Sequence, residues 1–151
     1  MQYLRNTLNH HIKLNKMELQ VKALQESDWD YLPSWWKWWR WPEINRKSLP
    51  LNGLGGLMVY KGDIPIVTGF LYLTNSSATW LDWIVSNPEY KDKDRKEALE
   101  LLITSLEEVA KAQGYSIVIS LTRNIHLINT HKKLEYTVDE NPSYEISKKI
   151  K

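Results

Sequence analysis

Lys91, Lys93, Arg95 and Lys96 stand within a run of six residues, directly ahead of a long amphipathic stretch. The first turn of a helix leaves backbone N–H groups unpaired and carries partial positive charge, so phosphate oxygens dock there. Flanking cations would strengthen such a site. A mixed-charge run is also what a solvated loop looks like, and on this segment alone that reading is the stronger. His131 falls on the apolar side of a later helical pattern. A histidine near its ordinary pKa of about 6.5 can donate a proton at neutral pH. A histidine that only holds a hydrogen bond is the plainer alternative. Asp82 interrupts the otherwise apolar run Thr79 to Val85. Five of the eight tryptophans crowd into Trp35 to Trp41. Indole faces attract cations, although helical spacing makes core residues of Trp35, Trp36 and Trp39, beside Leu32.

These residues need elements to hold them. Thr79 to Val85 reads as a strand ended by Ser86-Asn87-Pro88, because proline cannot donate to a ladder. Leu99, Leu102, Ile103, Leu106, Val109 and Ala110 recur at helical spacing, and Gly114 stands where a C-cap glycine belongs. Tyr115 to Leu121 is the next strand. Strand, helix, strand at this length predicts a βαβ unit with parallel strands. Upstream, Met17 to Leu24, Leu57 to Tyr60 and Ile64 to Leu73 read as strands, with Gly69 marking a bulge or a close approach. Ser27-Asp28-Trp29-Asp30 resembles a capping box, and Pro33 opens a helix that Pro42 closes. Glu43 to Gly56 reads as an irregular loop. After Asn124 a helix of roughly ten residues is expected. Tyr136 to Val138 and Tyr144 to Ile150 then read as two final strands. Residues 1-16 form a polar, basic N-terminal arm, and residues 17-151 a single domain.

With 151 residues the chain can bury a proper core. A net charge of +2 is too small to argue for nucleic acid. Without cysteine, no disulfide, zinc-thiolate site or thiol nucleophile is open to it. The four histidines show no metal-ligand spacing, so no metal site is expected. No apolar run approaches a membrane span, and no signal-peptide pattern opens the chain. A cytoplasmic location is expected.

The element order, taken with three local stretches, resembles the GNAT superfamily of N-acetyltransferases from Met17 to Ile150. Lys61-Gly62-Asp63 to Gly69-Phe70 looks like the family's second and third strands. Val85-Ser86-Asn87-Pro88-Glu89-Tyr90-Lys91 resembles the V-x-P-E-Y-R lead into its pyrophosphate loop, with one extra residue. Asn124 to Tyr136 resembles N-x-x-A-x-x-x-Y-x-K-x-G-F: Asn124, Lys133 and Tyr136 are in register, while Leu127, His131 and Glu135 replace Ala, Tyr and Gly. The acyl-CoA loop Q/R-x-x-G-x-G/A is matched by Lys93 to Ala98, with Lys96 at the first glycine. The chain is similar in this to Trp-rich, glycine-poor GNAT-like sequences of tailed phages.

The resemblance implies an α+β (α/β three-layer) fold with a mixed central sheet of about six to seven strands, a βαβ acyl-CoA unit and flanking helices. It implies an acyl-CoA-dependent N-acyltransferase that moves an acetyl group from acetyl-CoA directly to a primary amine, on a small molecule or a protein. Backbone groups of Ile84, Val85 and Ser86 would hold the pantetheine arm. Lys91, Lys93, Asp94, Arg95, Lys96, Glu97 and Ala98 would hold the pyrophosphate, with Asn124 bonding pantetheine or capping its helix. His131 would protonate the departing thiolate. Asp82, or Tyr72 through a water, would take the amine's proton. Trp35, Trp36 and Trp39 would line the acceptor site. A homodimer is left open. Two rivals stand beside this: a GNAT-fold binding or adaptor protein without catalysis, using the Trp-rich helix, and a Trp-anchored nucleic-acid or membrane adaptor.

Overall fold

The computed structural model describes residues 19–151; the N-terminal arm expected over residues 1-16 lies outside them. The chain divides into two compact units, Met1–Leu121 and Thr122–Lys151.

The first unit holds a five-stranded sheet in the order β1 (Leu19–Ala23), β2 (Gly56–Lys61), β3 (Ile64–Tyr72), β4 (Ala78–Ser86) and β5 (Ile117–Ser120). The first four strands pair antiparallel, each with its sequence neighbour. β4 and β5 pair parallel, as the βαβ pattern requires. Helix α1 spans Leu32–Trp38, with Pro33 in its first turn, and helix α2 spans Arg95–Ala112. One sheet face packs Met58, Phe70 and Val85 with Leu24, Leu32, Trp35, Trp36 and Leu49. The other lies under α2, whose Leu102 and Leu106 approach the sheet at Gly69. Each fully buried Leu or Phe here contributes about 2 kcal/mol of transfer free energy.

Several boundaries differ from the sequence pattern. α1 stops before Pro42 because Arg40 turns left-handed (φ 61°) and the Trp41 N–H bonds back to the Trp36 carbonyl at 2.9 Å. The cap at the preceding 3-10 turn, Glu26–Asp30, is made by Asp28: its carboxylate accepts the Gln25 N–H at 2.8 Å and the Tyr60 hydroxyl. Burial pushes the Asp28 carboxyl up from its ordinary value. The loop before β2 carries a further 3-10 turn, Arg46–Ser48, and a tight turn over Pro50–Gly53 in which Leu51 and Asn52 are left-handed (φ 50° and 53°). Gly114 does end α2, at φ 87°.

In the second unit Asn124 caps helix α3 (Ile125–Lys133), accepting the His126 and Leu127 N–H groups at 2.9 and 3.1 Å. The expected strands Tyr136 to Val138 and Tyr144 to Ile150 are not formed. The sheet therefore has fewer strands than the six to seven expected. A strand exists only with a ladder partner and a face to bury. Tyr144, Ile146 and Ile150 are instead about nine-tenths exposed (87%, 90% and 89%).

Candidate active site

β4 carries the main irregularity of the sheet. Phe70 faces Asp82, but Thr68 faces Val85, so Trp83 and Ile84 together oppose Gly69. This is a β-bulge, and it reverses the alternation beyond it. Asp82 and Val85 thereby share the face of Phe70, while Ile84 comes to the α2 face, where an added Gly69 Cβ would meet it at 3.2 Å. Trp83 adopts φ 57°, a left-handed conformation costly for a bulky residue. Three contacts hold it. Its N–H donates to Asp82 Oδ1 at 2.7 Å, its indole N–H donates to the Tyr72 hydroxyl at 2.9 Å, and its ring meets Trp41 edge to face at 6.0 Å.

The β4–β5 ladder ends at Leu81 and Ser120, so Asp82 to Ser86 run on with no strand on that side among the described residues. Ile84, Val85 and Ser86 all lie in this open stretch. The Ser86 carbonyl already accepts the Trp39 indole N–H at 3.0 Å. Beside the open stretch, Tyr72, Leu73, Thr74, Trp80 and Asp82 line a shallow, open depression of about 370 Å³. Asp82 and Tyr72 are thus brought together. The Tyr72 hydroxyl donates to the Ser48 carbonyl at 3.3 Å. Burial first, and the Asp82 charge after it, raise its pKa, while the Trp83 hydrogen bond lowers it. A hydroxyl so placed stays protonated at neutral pH and is poorly suited to act as a base.

The β4–α2 connection brings Lys91, Lys93, Arg95, Lys96 and Glu97 to the solvent at the start of α2, with Ala98 buried. The Ala98 N–H bonds the Asp94 carbonyl at 2.8 Å, and the Arg95 N–H reaches the Asp92 carbonyl at 3.3 Å. The N–H groups of Lys96 and Glu97 have no backbone acceptor among the described residues. Asp94 is the N-cap residue, yet its side chain does not cap. It turns to Tyr90 and Lys61 instead. The Tyr90 hydrogen bond, followed by Lys61, outweighs burial and holds the Asp94 carboxyl below the usual range. The sequence pattern missed Lys61, because nothing in the spacing links it to a residue in another strand connection. It also missed Trp83.

The tryptophans divide. Trp35 and Trp36 are core residues, 4% and 2% exposed, and Trp36 also meets Trp29 edge to face at 5.4 Å. Their faces are filled by protein. Trp38 and Trp39 are open and stack edge to face at 4.6 Å. Of the three predicted for an acceptor, Trp39 alone reaches solvent and the open end of β4.

In the second unit His131 is buried, and its Nδ1 lies 2.8 Å from the Leu127 carbonyl. A carbonyl only accepts, so Nδ1 carries hydrogen. The ring meets Tyr136 edge to face at 4.7 Å, and Nε2 has no hydrogen-bond partner among the described residues. Asn124 makes the capping bonds given above. Glu135 adopts φ 70° where the matched motif has glycine. No group of three or more potential metal ligands occurs among the described residues. No described helix is long and apolar enough to cross a membrane.

The sequence matches no family model and no curated protein. Solved structures do match. The aminoglycoside acetyltransferase AAC(6')-Iy, in complex with a CoA-S-monomethyl-acetylneamine bisubstrate analogue, is 12% identical. The match covers 86% of this chain and 98% of that one, at a TM-score of 0.63. The aminoglycoside acetyltransferase meta-AAC0020 from an uncultured soil metagenomic sample, in complex with sisomicin, is 12% identical. That match covers 86% and 95% of the two chains, at a TM-score of 0.59. An acetyltransferase of Trypanosoma brucei is 15% identical over 85% and 99%, also at 0.59. At these identities the matches show a shared fold: the chain has the α+β fold of the GNAT acetyltransferases.

Proposed function

We propose that this chain is a divergent GNAT enzyme, an acyl-CoA-dependent N-acyltransferase that carries an acetyl group to a primary amine. The observation that carries the reading is the pairing of an open, bulged β4 with unpaired N–H groups in the first turn of α2. A strand edge without a ladder partner suits an amide-bearing pantetheine arm. Open helix N–H groups beside exposed lysines suit a pyrophosphate even without glycine. The donor set therefore fits acetyl-CoA, with Ile84, Val85 and Ser86 as the strand donors and acceptors, and with Lys91, Lys93, Arg95, Lys96 and the Lys96 and Glu97 N–H groups as the anion cradle. When bound, acetyl-CoA supplies a thioester carbonyl open to attack by an amine.

The residues of this chain supply the proton steps. The acceptor arrives as an ammonium and must lose a proton to attack. Asp82, on the face of Tyr72 and Trp80, takes that proton, directly or through water. Nitrogen then bonds to the acyl carbon, the C–S bond breaks, the nitrogen gives up its second proton to solvent, and the thiolate gains one. His131 can give it only as an imidazolium, since the neutral ring with hydrogen on Nδ1 leaves Nε2 a lone pair. The sum is amide, free thiol and one proton released to solvent. Sisomicin in one neighbour and an acetylneamine group in another support a small-molecule amine acceptor.

Calorimetry with acetyl-CoA, desulfo-CoA and ADP tests the donor half, and an amine panel tests the acceptor half. Micromolar acetyl-CoA binding is expected. The charge reversals Lys91→Glu, Lys93→Glu and Lys96→Glu together should weaken it at least tenfold. Binding without turnover on any amine would favour the non-catalytic adaptor, and no binding at millimolar ligand would end the acyltransferase reading.

A further inference from the structure

Neither Lys61 nor Tyr90 enters the steps above, yet both converge on Asp94 at the start of α2. The Tyr90 hydroxyl donates to Asp94 Oδ1 at 2.5 Å, and the Lys61 Nζ donates to Oδ2 at 3.0 Å. Asp92 Oδ2 stands 3.9 Å from the same Nζ. Tyr90 is buried, at 6% exposed, and the Asp94 side chain is only 21% exposed. Lys61 comes from the end of β2, so the network ties the loop after β4 to the β2–β3 hairpin.

The arrangement is unusual for an N-cap aspartate. Such a carboxylate ordinarily accepts first-turn N–H groups, which both the cap geometry and the helix dipole favour. Here both oxygens are engaged elsewhere, no cap bond forms, and the Lys96 and Glu97 N–H groups stay open. A carboxylate at this place would otherwise occupy or repel an incoming anion. A lysine at 3.0 Å balances its charge, and a buried tyrosine fixes its direction.

We propose that Lys61 and Tyr90 are positioning residues that hold Asp94 charge-balanced and turned away from the first turn of α2, leaving those N–H groups for a pyrophosphate-bearing donor. This rests on the acyltransferase reading. It makes Asp94 an occluding group kept aside, so that losing its restraints costs donor affinity and losing Asp94 as well restores it.

Calorimetry with CoA and ADP on the full chain separates the possibilities. If the wild-type protein binds neither ligand, the acyltransferase reading fails and this inference with it. With wild-type binding established, Lys61→Met should weaken CoA and ADP alike by about tenfold, the scale of one unbalanced charge near a surface. Lys61→Met combined with Asp94→Asn should return to within about threefold of wild type, a rescue that a tie with only a structural role would not give. Lys61→Arg should bind as wild type and guards against a folding defect in the methionine variant. Tyr90→Phe should raise KM for acetyl-CoA several-fold with kcat within about twofold. Wild-type affinity in Lys61→Met, or a double variant no tighter than Lys61→Met, would overturn the proposal while leaving the acyltransferase reading intact.

Discussion

At the scale of single residues, Trp83 is where the fold holds a costly conformation. A left-handed backbone costs a bulky residue about 1–2 kcal/mol. Removing a tryptophan costs about 3 kcal/mol even at the low end of buried cases. Trp83 is half-buried against Tyr72 and Trp41, so packing should win. Trp83→Gly is expected to lose about 1–2 kcal/mol in urea unfolding despite its freer backbone; a gain would mean that the bulge is strained without recompense. Asp82 sits next to it, and its role is chemical in the proposal. Asp82→Asn should lower kcat for amine acetylation about a hundredfold, within the range for a lost general base, while acetyl-CoA affinity holds. An unchanged rate would remove Asp82 from the mechanism. The carboxylate's place in an apolar run was legible in the sequence. Its facing was not, because one extra residue at Trp83–Ile84 decides which of Ile84 and Val85 enters the core.

At the scale of elements, the meander and the crossover followed from periodicity, since alternation and the α2 stripe both report burial against a single neighbour. Gly69 lies opposite the β4 bulge, with Ile84, Leu102 and Leu106 close over it, and its carbonyl crowds Gly56 on the neighbouring strand. A Cβ on Gly56 would lie 2.1 Å from the Gly69 carbonyl oxygen, a backbone atom that cannot rotate aside. Gly56→Ala should therefore open the β2–β3 pairing and cost on the order of 2–3 kcal/mol. A thermal midpoint equal to wild type would contradict that geometry. The two strands expected after α3 failed for a different reason. Their apolar alternation is present in Tyr144 and Ile146, but alternation records a preference for a ladder and cannot supply one. The Asp94 network was illegible because Lys61 lies 33 residues from Asp94.

At the scale of the whole molecule, the same network should be visible in pH dependence. Burial first, then the Asp94 hydrogen bond and charge, push the Tyr90 hydroxyl up to about 12. A raised value means stability fully present below the unfolded value of about 10 and lost as pH rises through the folded one. Asp94 has the opposite sign: its value is lowered, so its contribution is present above about 3.9 and fades as pH falls through the folded value. The midpoint difference between wild type and Tyr90→Phe should shrink between about pH 10 and 12. A constant difference across that window would mean the hydroxyl does not titrate with Asp94 as partner.

The Trp39 bond to the Ser86 carbonyl also has an optical consequence. An indole whose N–H is held by a backbone oxygen emits according to that bond. Any molecule that pairs with the end of β4 must share or displace it. The protein thus carries a native fluorophore at the strand it would use, and ligand screening needs no dye. Trp39→Phe would darken that signal while the buried indoles of Trp35 and Trp36 continue to report the fold.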